Sequence, residues 1–441
     1  MNKAYQFLWW AFLIAIPLQT RTIIFQWGWR FNEWQIISVY VTDIIFVVLL
    51  LSLLFRRERM DGSSRRFNLS ESALATFCLV SLVSLFFAGN KGLGLFQFLK
   101  LIEFVALFIY VSRVAVRRFS FNGTALALVF GGCLQSLLAI SQFVKQGDLG
   151  FRILGESLLN ANMEGVAVFI NSLDDKVMRA YGTTPHPNIL AAYLVLSLTA
   201  AIWLFVGGTE GGKKRRLVLL VGFAVMLFAL FATFSRTIIF FWLLAMLIGF
   251  TLAGLKNGAW AGIKRKIFAL IAVFAVIAGL FSFMFWPDVS SRFKISGGEE
   301  AVQLRIFYNK EALKSGSVLN INWLGIGTGN FVPWLINFDP KLPQNLYQPV
   351  HNVYLLIYSE NGILGLAAFL FFLVLLLKNS LRGALIDPWR SFALTVVAIF
   401  LASAFFDHFF WTLQEGRLIF WLALGLVAGY VGSRSRLAGP D

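Results

Sequence analysis

Apolar runs of about 20 residues recur along this chain, and each is long enough to cross ~30 Å of hydrocarbon as a helix. Twelve such runs are predicted, near 4–19, 35–55, 70–88, 95–112, 122–144, 188–207, 217–235, 237–254, 267–286, 353–377, 391–406 and 417–432. A backbone in lipid must satisfy its hydrogen bonds internally, so runs of this kind fold as helices packed on one another. The fold class expected is an all-α polytopic membrane protein. Hydrophobic residues make up 58% of the 441-residue chain, against about 45–50% in soluble proteins, and no stretch is left over for a separate soluble core. Residues 1–441 are therefore read as a single integral membrane domain.

The net charge of +16 would point to nucleic acid in a soluble protein. In a membrane protein it has another cause, because loops kept in the cytoplasm are rich in Lys and Arg. With the N-terminus inside, the clusters "RRERM" at 56–60, "KKRR" at 213–216 and "KRK" at 264–266 all fall on the cytoplasmic side. Both termini are then cytoplasmic, the partners are membrane lipids, and no nucleic-acid partner is expected. The first apolar run follows Lys3 with no small-residue cleavage site after it, so it reads as a retained helix. Cys78 and Cys133 lie inside apolar runs and read as packing residues, with no disulfide framework. Two outer loops are long, 145–187 and 287–352, and their aromatic and apolar content argues for order. Within the second, "EEAVQLRIFYNKEALKSG" has helical spacing. Val302, Ile306 and Leu313 share one face, as in a helix lying on the outer leaflet.

Familiar ligand motifs are missing or incomplete. "GGTEGGKKRR" at 207–216 approaches a phosphate-binding loop, but Lys214 stands where a magnesium-binding hydroxyl belongs, and a basic linker is the better reading. "GIGTG" at 325–329 lacks a third glycine and reads as a tight turn. With no HExxH, Cys cluster or Asp-x-Asp, neither a metal nor a cofactor is expected. All three histidines, His186, His351 and His408, fall on the outer side. A lone interfacial histidine is ordinarily a solvated amphipathic residue. His351 stands out because Asn352 can cap the helix that follows, and a helix N-terminus favours a nearby anion and a neutral imidazole. A neutral imidazole beside phosphate is suited to act as a base. Glu360 lies nine residues further on, about 13 Å along the helix and on the opposite face, so it forms no dyad with His351. Its ordinary role is a buried polar contact. Lys100 and Glu103, three apart in one span, can neutralise each other. Arg236 sits between two spans with almost no loop, Arg305 is on the loop helix, and Arg179 precedes "YGTTPHPNILAAY". Each alone is a plausible snorkelling anchor. Together they describe a basic outer vestibule suited to a lipid-linked diphosphate.

Several segments resemble the O-antigen ligase and polymerase superfamily in order and spacing. They are "RAYGTTPHPNILAAY" at 179–193, "FSRT" at 234–237, "LRIFYNKEAL" at 304–313, "WLGIGTGNF" at 323–331 and "HNVYLLIYSENGILGL" at 351–366. The motif region spans 179–366. The resemblance implies a metal-independent glycosyltransferase of GT-C-type architecture in the bacterial cytoplasmic (inner) membrane. Such an enzyme takes a glycan from a polyprenyl (undecaprenyl) diphosphate on the outer face and passes it to a hydroxyl of a glycan or lipid acceptor. Carried over by position, His351 matches the catalytic base, and Arg236 and Arg305 match arginines that bind the diphosphate. Arg179 matches less closely. Asn352 and Glu360 are given supporting positions, and His186 and His408 no catalytic role. Direct displacement implies inversion at the anomeric carbon. A ligase is favoured. A polymerase joining lipid-linked repeat units would use the same base and clamp. A transporter is the third reading, but carriers place polar groups at the midplane of repeated helices, whereas here they gather at the outer rim.

Overall fold

The computed structural model describes residues 3–54, 68–207, 212–254, 261–293, 300–315, 322–381 and 388–434. The chain opens with α1 (Lys3–Ala15), a hairpin of β1 (Arg21–Gln26) and β2 (Ile36–Tyr40), and α2 (Val41–Leu54). Next come α3 (Leu69–Ser84), α4 (Lys91–Tyr110), the one-turn α5 (Val116–Arg118) and α6 (Phe121–Lys145). A short hairpin, β3 (Val168–Ile170) and β4 (Lys176–Met178), leads to α7 (Pro187–Gly207), α8 (Lys213–Ala232), α9 (Arg236–Gly254) and α10 (Ala261–Met284). Then follow α11 (Trp286–Phe293), α12 (Glu300–Lys314), α13 (Phe331–Phe338) and α14 (Val353–Leu381). The chain ends with α15 (Pro388–Ser403), α16 (Phe409–Thr412) and α17 (Gln414–Arg434).

Every predicted span falls on a helix. Seven helices among the described residues are long and apolar enough to cross a membrane, and three shorter apolar ones accompany them. One boundary is corrected: the run predicted from residue 35 starts as strand β2, which pairs antiparallel with β1, and α2 begins only at Val41. An Arg21–Glu33 ion pair links β1 to the turn of that hairpin. Another span is longer than expected. α4 runs through a π-helical turn at Val111–Ala115 into α5, making one stretch from Lys91 to Arg118. Where "GGTEGGKKRR" was read as a linker, 208–211 lie outside the described residues and Lys213–Arg216 already form the first turn of α8. The cluster at 56–60 also lies outside them.

The bundle is built around α7, whose apolar stretch is 94% buried inside the protein. α6 approaches it through Gly131 and Gly132. A methyl at Gly131 would strike the Tyr193 hydroxyl, and one at Gly132 would lie 2.6 Å from Ser197 Cβ. Small residues at such crossings let helices pack closely in lipid, where no hydrophobic effect drives association. Lys100 is held as expected by Glu103 at 3.0 Å, and also by Asp43 of α2 at 2.5 Å. The charge inside the bundle is thereby paired, as an intramembrane lysine requires.

The two long loops meet at one end of the bundle. Ser172 N donates to Pro287 O at 3.1 Å and Asn171 Nδ2 to Asp288 Oδ1 at 3.0 Å. The predicted loop helix exists as α12, with its end residues 299 and 316 outside the described residues, and it docks on the protein through the face opposite its predicted apolar one. Tyr308 and Ala312 are buried against the protein, whereas Ile306 and Leu313 of the predicted apolar face are exposed. Ser172 and Asn337 of these loops are both exposed. Single cysteines placed there are expected to react with an impermeant maleimide in intact cells. The native Cys78 and Cys133 lie within α3 and α6. Labelling that requires permeabilisation would reverse the orientation.

Candidate active site

The three histidines converge at this end. His186 starts α7: its carbonyl accepts from Ile189 N at 3.0 Å and its Nδ1 from Asn188 N at 3.2 Å. His351 precedes α14, which Asn352 caps through Tyr354 N at 2.9 Å and Leu355 N at 3.1 Å. The expected cap is therefore present. His408 precedes α16, and the turn that carries it is fixed to α14 by Val353 N donating to Ala404 O at 2.8 Å. The His351 and His408 rings meet edge-on with centroids 4.8 Å apart. Tyr308 of α12 stacks on His351 at 5.2 Å, and its hydroxyl donates to Leu346 O at 2.7 Å. Nδ1 of His351 is buried and has no hydrogen-bond partner among the described residues. A buried polar atom left unmet costs free energy, and such exceptions in a folded protein call for a cause.

One carboxylate organises the cluster. Asp407 accepts from Asn188 Nδ2 at 2.7 Å and from the His408 backbone N at 2.8 Å. Asn188 Oδ1 in turn accepts from Arg179 Nη2 at 2.6 Å and Ser235 Oγ at 2.9 Å. Arg179 Nε donates to Thr233 O at 2.6 Å. One chain of hydrogen bonds thus joins the α15–α16 turn, the tip of α7 and the tight α8–α9 turn. In that last turn Phe234 adopts a left-handed conformation (φ 46°), which is uncommon for a bulky residue and marks a tightly constrained corner.

Arginines flank this cluster. Arg236 is the first residue of α9, and its charge is felt at Arg179 together with that of Arg292. Arg305 donates to Phe406 O at 3.2 Å, and its charge is felt at His186 and His351. Burial, with these positive neighbours, lowers Arg179 to about 10, so it stays cationic at neutral pH. Burial pushes His186 down to about 4 and His408 to about 3, and moves His351 the same way. Burial by itself would raise the Asp407 carboxyl. The imidazoles of His408, His351 and His186 and the Asn188 amide outweigh it and hold the group at about 2. At neutral pH the site therefore contains one carboxylate among neutral imidazoles.

The sign of the resulting pH dependence follows by linkage. Each imidazole has a folded value below its ordinary 6.5, so the unfolded chain binds protons first as pH falls. The stability these groups contribute is complete above 6.5 and is lost progressively toward pH 4. Asp407 titrates lower and is silent in that window. The thermal unfolding midpoint is expected to fall between pH 6.5 and 4.5, and replacement of His186 by Gln to flatten the slope. A His186→Gln slope equal to that of wild type would contradict neutral burial of His186.

The structure brings His351, Arg179, Arg236 and Arg305 to one rim. It adds Asp407, Asn188 and Tyr308, which were not singled out from the sequence, and His408, which was placed on the outer side but given no role. The adjacent pair Asp407–His408 inside the aromatic run "FFDHFFW" was the available signal. Among the described residues no three His, Cys, Asp or Glu side chains come together in a geometry able to hold a metal ion.

Glu360 stands apart, and its segment is structural in an unexpected way. α14 breaks at Gly362 (φ 70°, ψ −174°), and the "GIGTG" loop docks into the break. Ile326 N donates to Ser359 O and Gly327 N to Glu360 O, both at 3.0 Å, while Ile363 N donates to Asn322 O at 2.8 Å. Irregular backbone at such depth is tolerated where protein supplies its hydrogen bonds, and this loop does so. The two motif segments are one interlocked piece. Residues 221–370 match the family model described as O-antigen ligase.

The chain carries an O-antigen ligase domain. No curated protein matches the chain. The domain makes this coarsely a multi-pass membrane enzyme of the O-antigen ligase and polymerase type, acting on lipid-linked glycans. Within the O-antigen ligase match lie Arg236, Arg305, His351 and the docked helix break. Arg179, His186, Asn188, Asp407 and His408 lie outside it, so the cluster is completed by flanking helices α7 and α15.

Proposed function

We propose that the protein transfers a glycan from a polyprenyl diphosphate carrier to an acceptor hydroxyl, on the outer face of the bacterial cytoplasmic membrane. The observation that carries this reading is a buried, neutral His351, fixed between Tyr308 and His408 beside a rim of arginines. In this reading the twelve helices all cross the bilayer in a GT-C-type arrangement, with both termini in the cytoplasm. The acceptor O–H gives its proton to His351 as its oxygen bonds to the anomeric carbon. The bond from that carbon to the phosphate oxygen breaks, and the electron pair leaves with the diphosphate. Attack opposite the leaving group inverts the centre. Arg236 and Arg305 stabilise the growing negative charge without a metal, the type of fixed electrostatic support that accounts for most enzymic rate enhancement. Arg179 already spends two donors on Thr233 and Asn188, so its part is to hold the α8–α9 turn while adding positive charge.

Arg236→Lys and Arg305→Lys are each expected to lower transfer by about tenfold or more, because a point charge does not replace a planar two-pronged donor. EDTA is expected to leave the rate unchanged. Activity that disappears with chelator and returns with magnesium would overturn the arginine clamp. The assay that tests the reading supplies purified protein with a lipid-diphosphate glycan of a single repeat. Added acceptor should be required for consumption of the donor. A ladder of multiples from donor alone would show that the carrier-linked glycan is itself the acceptor, which is polymerase chemistry. An untouched donor in the presence of every acceptor fraction from the host would remove the transferase reading altogether.

A further inference from the structure

A recess lies directly beside the histidines, between α4, α13, α14, α16 and α17. It has an empty volume of about 630 Å³ including its open mouth, and its walls include Trp34, Gln97, Glu360, Trp411, Thr412 and Arg417. Thr412 joins it to the site already described, since its hydroxyl lies 2.7 Å from Nδ1 of His408. Trp34 does the same, packing edge-on against the His408 ring at 5.1 Å while lining the recess.

The two charges here feel each other across the space without touching. Glu360 and Arg417 line the same space, yet no ion pair joins them among the described residues. Arg417 donates to Trp411 O at 2.5 Å and through Nη2 to Gln97 Oε1 at 2.8 Å. Glu360 draws only on backbone N–H groups at the start of α13, a long hydrogen bond of 3.4 Å from Phe331 N and the N–H of Gly329. A buried carboxylate normally accepts several good hydrogen bonds or neutralises a cation. Here it presents acceptor capacity to a cavity whose other wall presents a guanidinium and indole rings.

This combination selects among ligands. A lipid tail would leave Glu360 and Arg417 unsatisfied, at high cost. A phosphate would meet the Glu360 carboxylate. A pyranose suits both sides, because each hydroxyl donates and accepts, and the ring's C–H face packs on an indole. We propose that this recess is a saccharide subsite that binds the non-reducing sugar of the acceptor and delivers its hydroxyl to the His351–His408 pair. The acceptor role rests on the transferase reading above; saccharide binding does not.

The test uses the full chain in lipid nanodiscs, labelled with 5-fluorotryptophan, with Trp34 and Trp411 resonances assigned by single Phe replacements. The probes are methyl β-D-glucopyranoside, methyl β-D-galactopyranoside and methyl N-acetyl-β-D-glucosaminide, with inorganic phosphate as the contrast. At least one glycoside is expected to shift Trp34 and Trp411 saturably, and phosphate to leave them in place. Glu360→Gln and Gln97→Leu should weaken that binding by about tenfold, the scale of one lost charge-assisted hydrogen bond. His351→Ala should leave it intact. The fully buried Trp9 and Trp242 report folding. If Glu360→Gln disturbs them, the milder Gln97→Leu decides. Glycosides that move neither resonance, or that bind Glu360→Gln and Gln97→Leu as well as wild type, would mean the recess holds only water and the proposal is wrong. Transfer is not part of this readout. Glycoside binding by a protein that transfers nothing would cancel the acceptor role and leave the sugar site standing, whereas transfer with silent tryptophans would do the reverse.

Discussion

His351→Ala is expected to lower turnover of the purified protein by roughly 10²–10⁴-fold, the usual contribution of a general base, with helix content and donor binding unchanged. The imidazole is packed by Tyr308 on one face and His408 at its edge, so its position is fixed before any substrate arrives. Burial keeps the imidazole neutral, although a hydrogen bond to the Pro349 backbone works the other way. A base must be unprotonated at the moment of attack, so the acid decline of activity should set in below the ordinary imidazole value of 6.5, not at it. Single-turnover rates with saturating acceptor measure the effect directly. A His351→Ala protein that turns over within a few-fold of wild type would remove His351 from the chemistry. In that event His408, which touches the same ring, becomes the group to examine.

The largest effect on stability is expected at Gly362. Its backbone lies at φ 70° and ψ −174°, a region open essentially only to glycine, and a Cβ there would overlap the Trp323 carbonyl. Gly362→Ala should cost about 3 kcal/mol or more, from backbone strain together with loss of the loop that docks into the break. The hydrogen bonds at risk are those from Ile363 N to Asn322 O and from Gly327 N to Glu360 O. Gly325→Ala attacks the same joint from the other side, since its Cβ would enter the Glu360 carbonyl. Gly279→Ala is the control, because nothing lies within 4 Å of a Cβ at that position of α10. Thermal unfolding in detergent should separate Gly362→Ala and Gly325→Ala from Gly279→Ala. Equal midpoints for all three would show that the docked loop bears little of the stability.

The difference between these two regions explains what could be read from the residues alone. Helices such as α7, α8 and α10 were legible because their apolar runs are long and need no partner to be recognised. The Asn352 cap was legible for the same reason: the signal is local. The β1–β2 hairpin was not, because Ile36–Tyr40 is apolar and runs directly into α2. The outward apolar face of α12 was legible from its spacing, but its docking face was not, since Tyr308 finds His351 only in the folded chain. The break in α14 was seen only as an odd Glu-Asn-Gly step, since the loop that justifies it lies some 35 residues earlier. Asp407 and Asn188 were missed for a related reason. They are joined only by the packing of α7 against α15, across more than 200 positions of chain.

The burial of α7 has a consequence for how the enzyme responds to its lipid surroundings. A helix in contact with lipid tilts or stretches to match the thickness of the bilayer. α7 is sheathed almost entirely by other helices, so that adjustment falls on peripheral elements such as α10, whose apolar stretch is only 11% buried. The tip of α7 carries His186 and Asn188, and through Asn188 it sets the place of Asp407. The spacing of these groups is therefore decoupled from hydrophobic mismatch. The single-turnover rate should vary little between vesicles of short-chain and long-chain phosphatidylcholine, even where the overall stability of the protein does not.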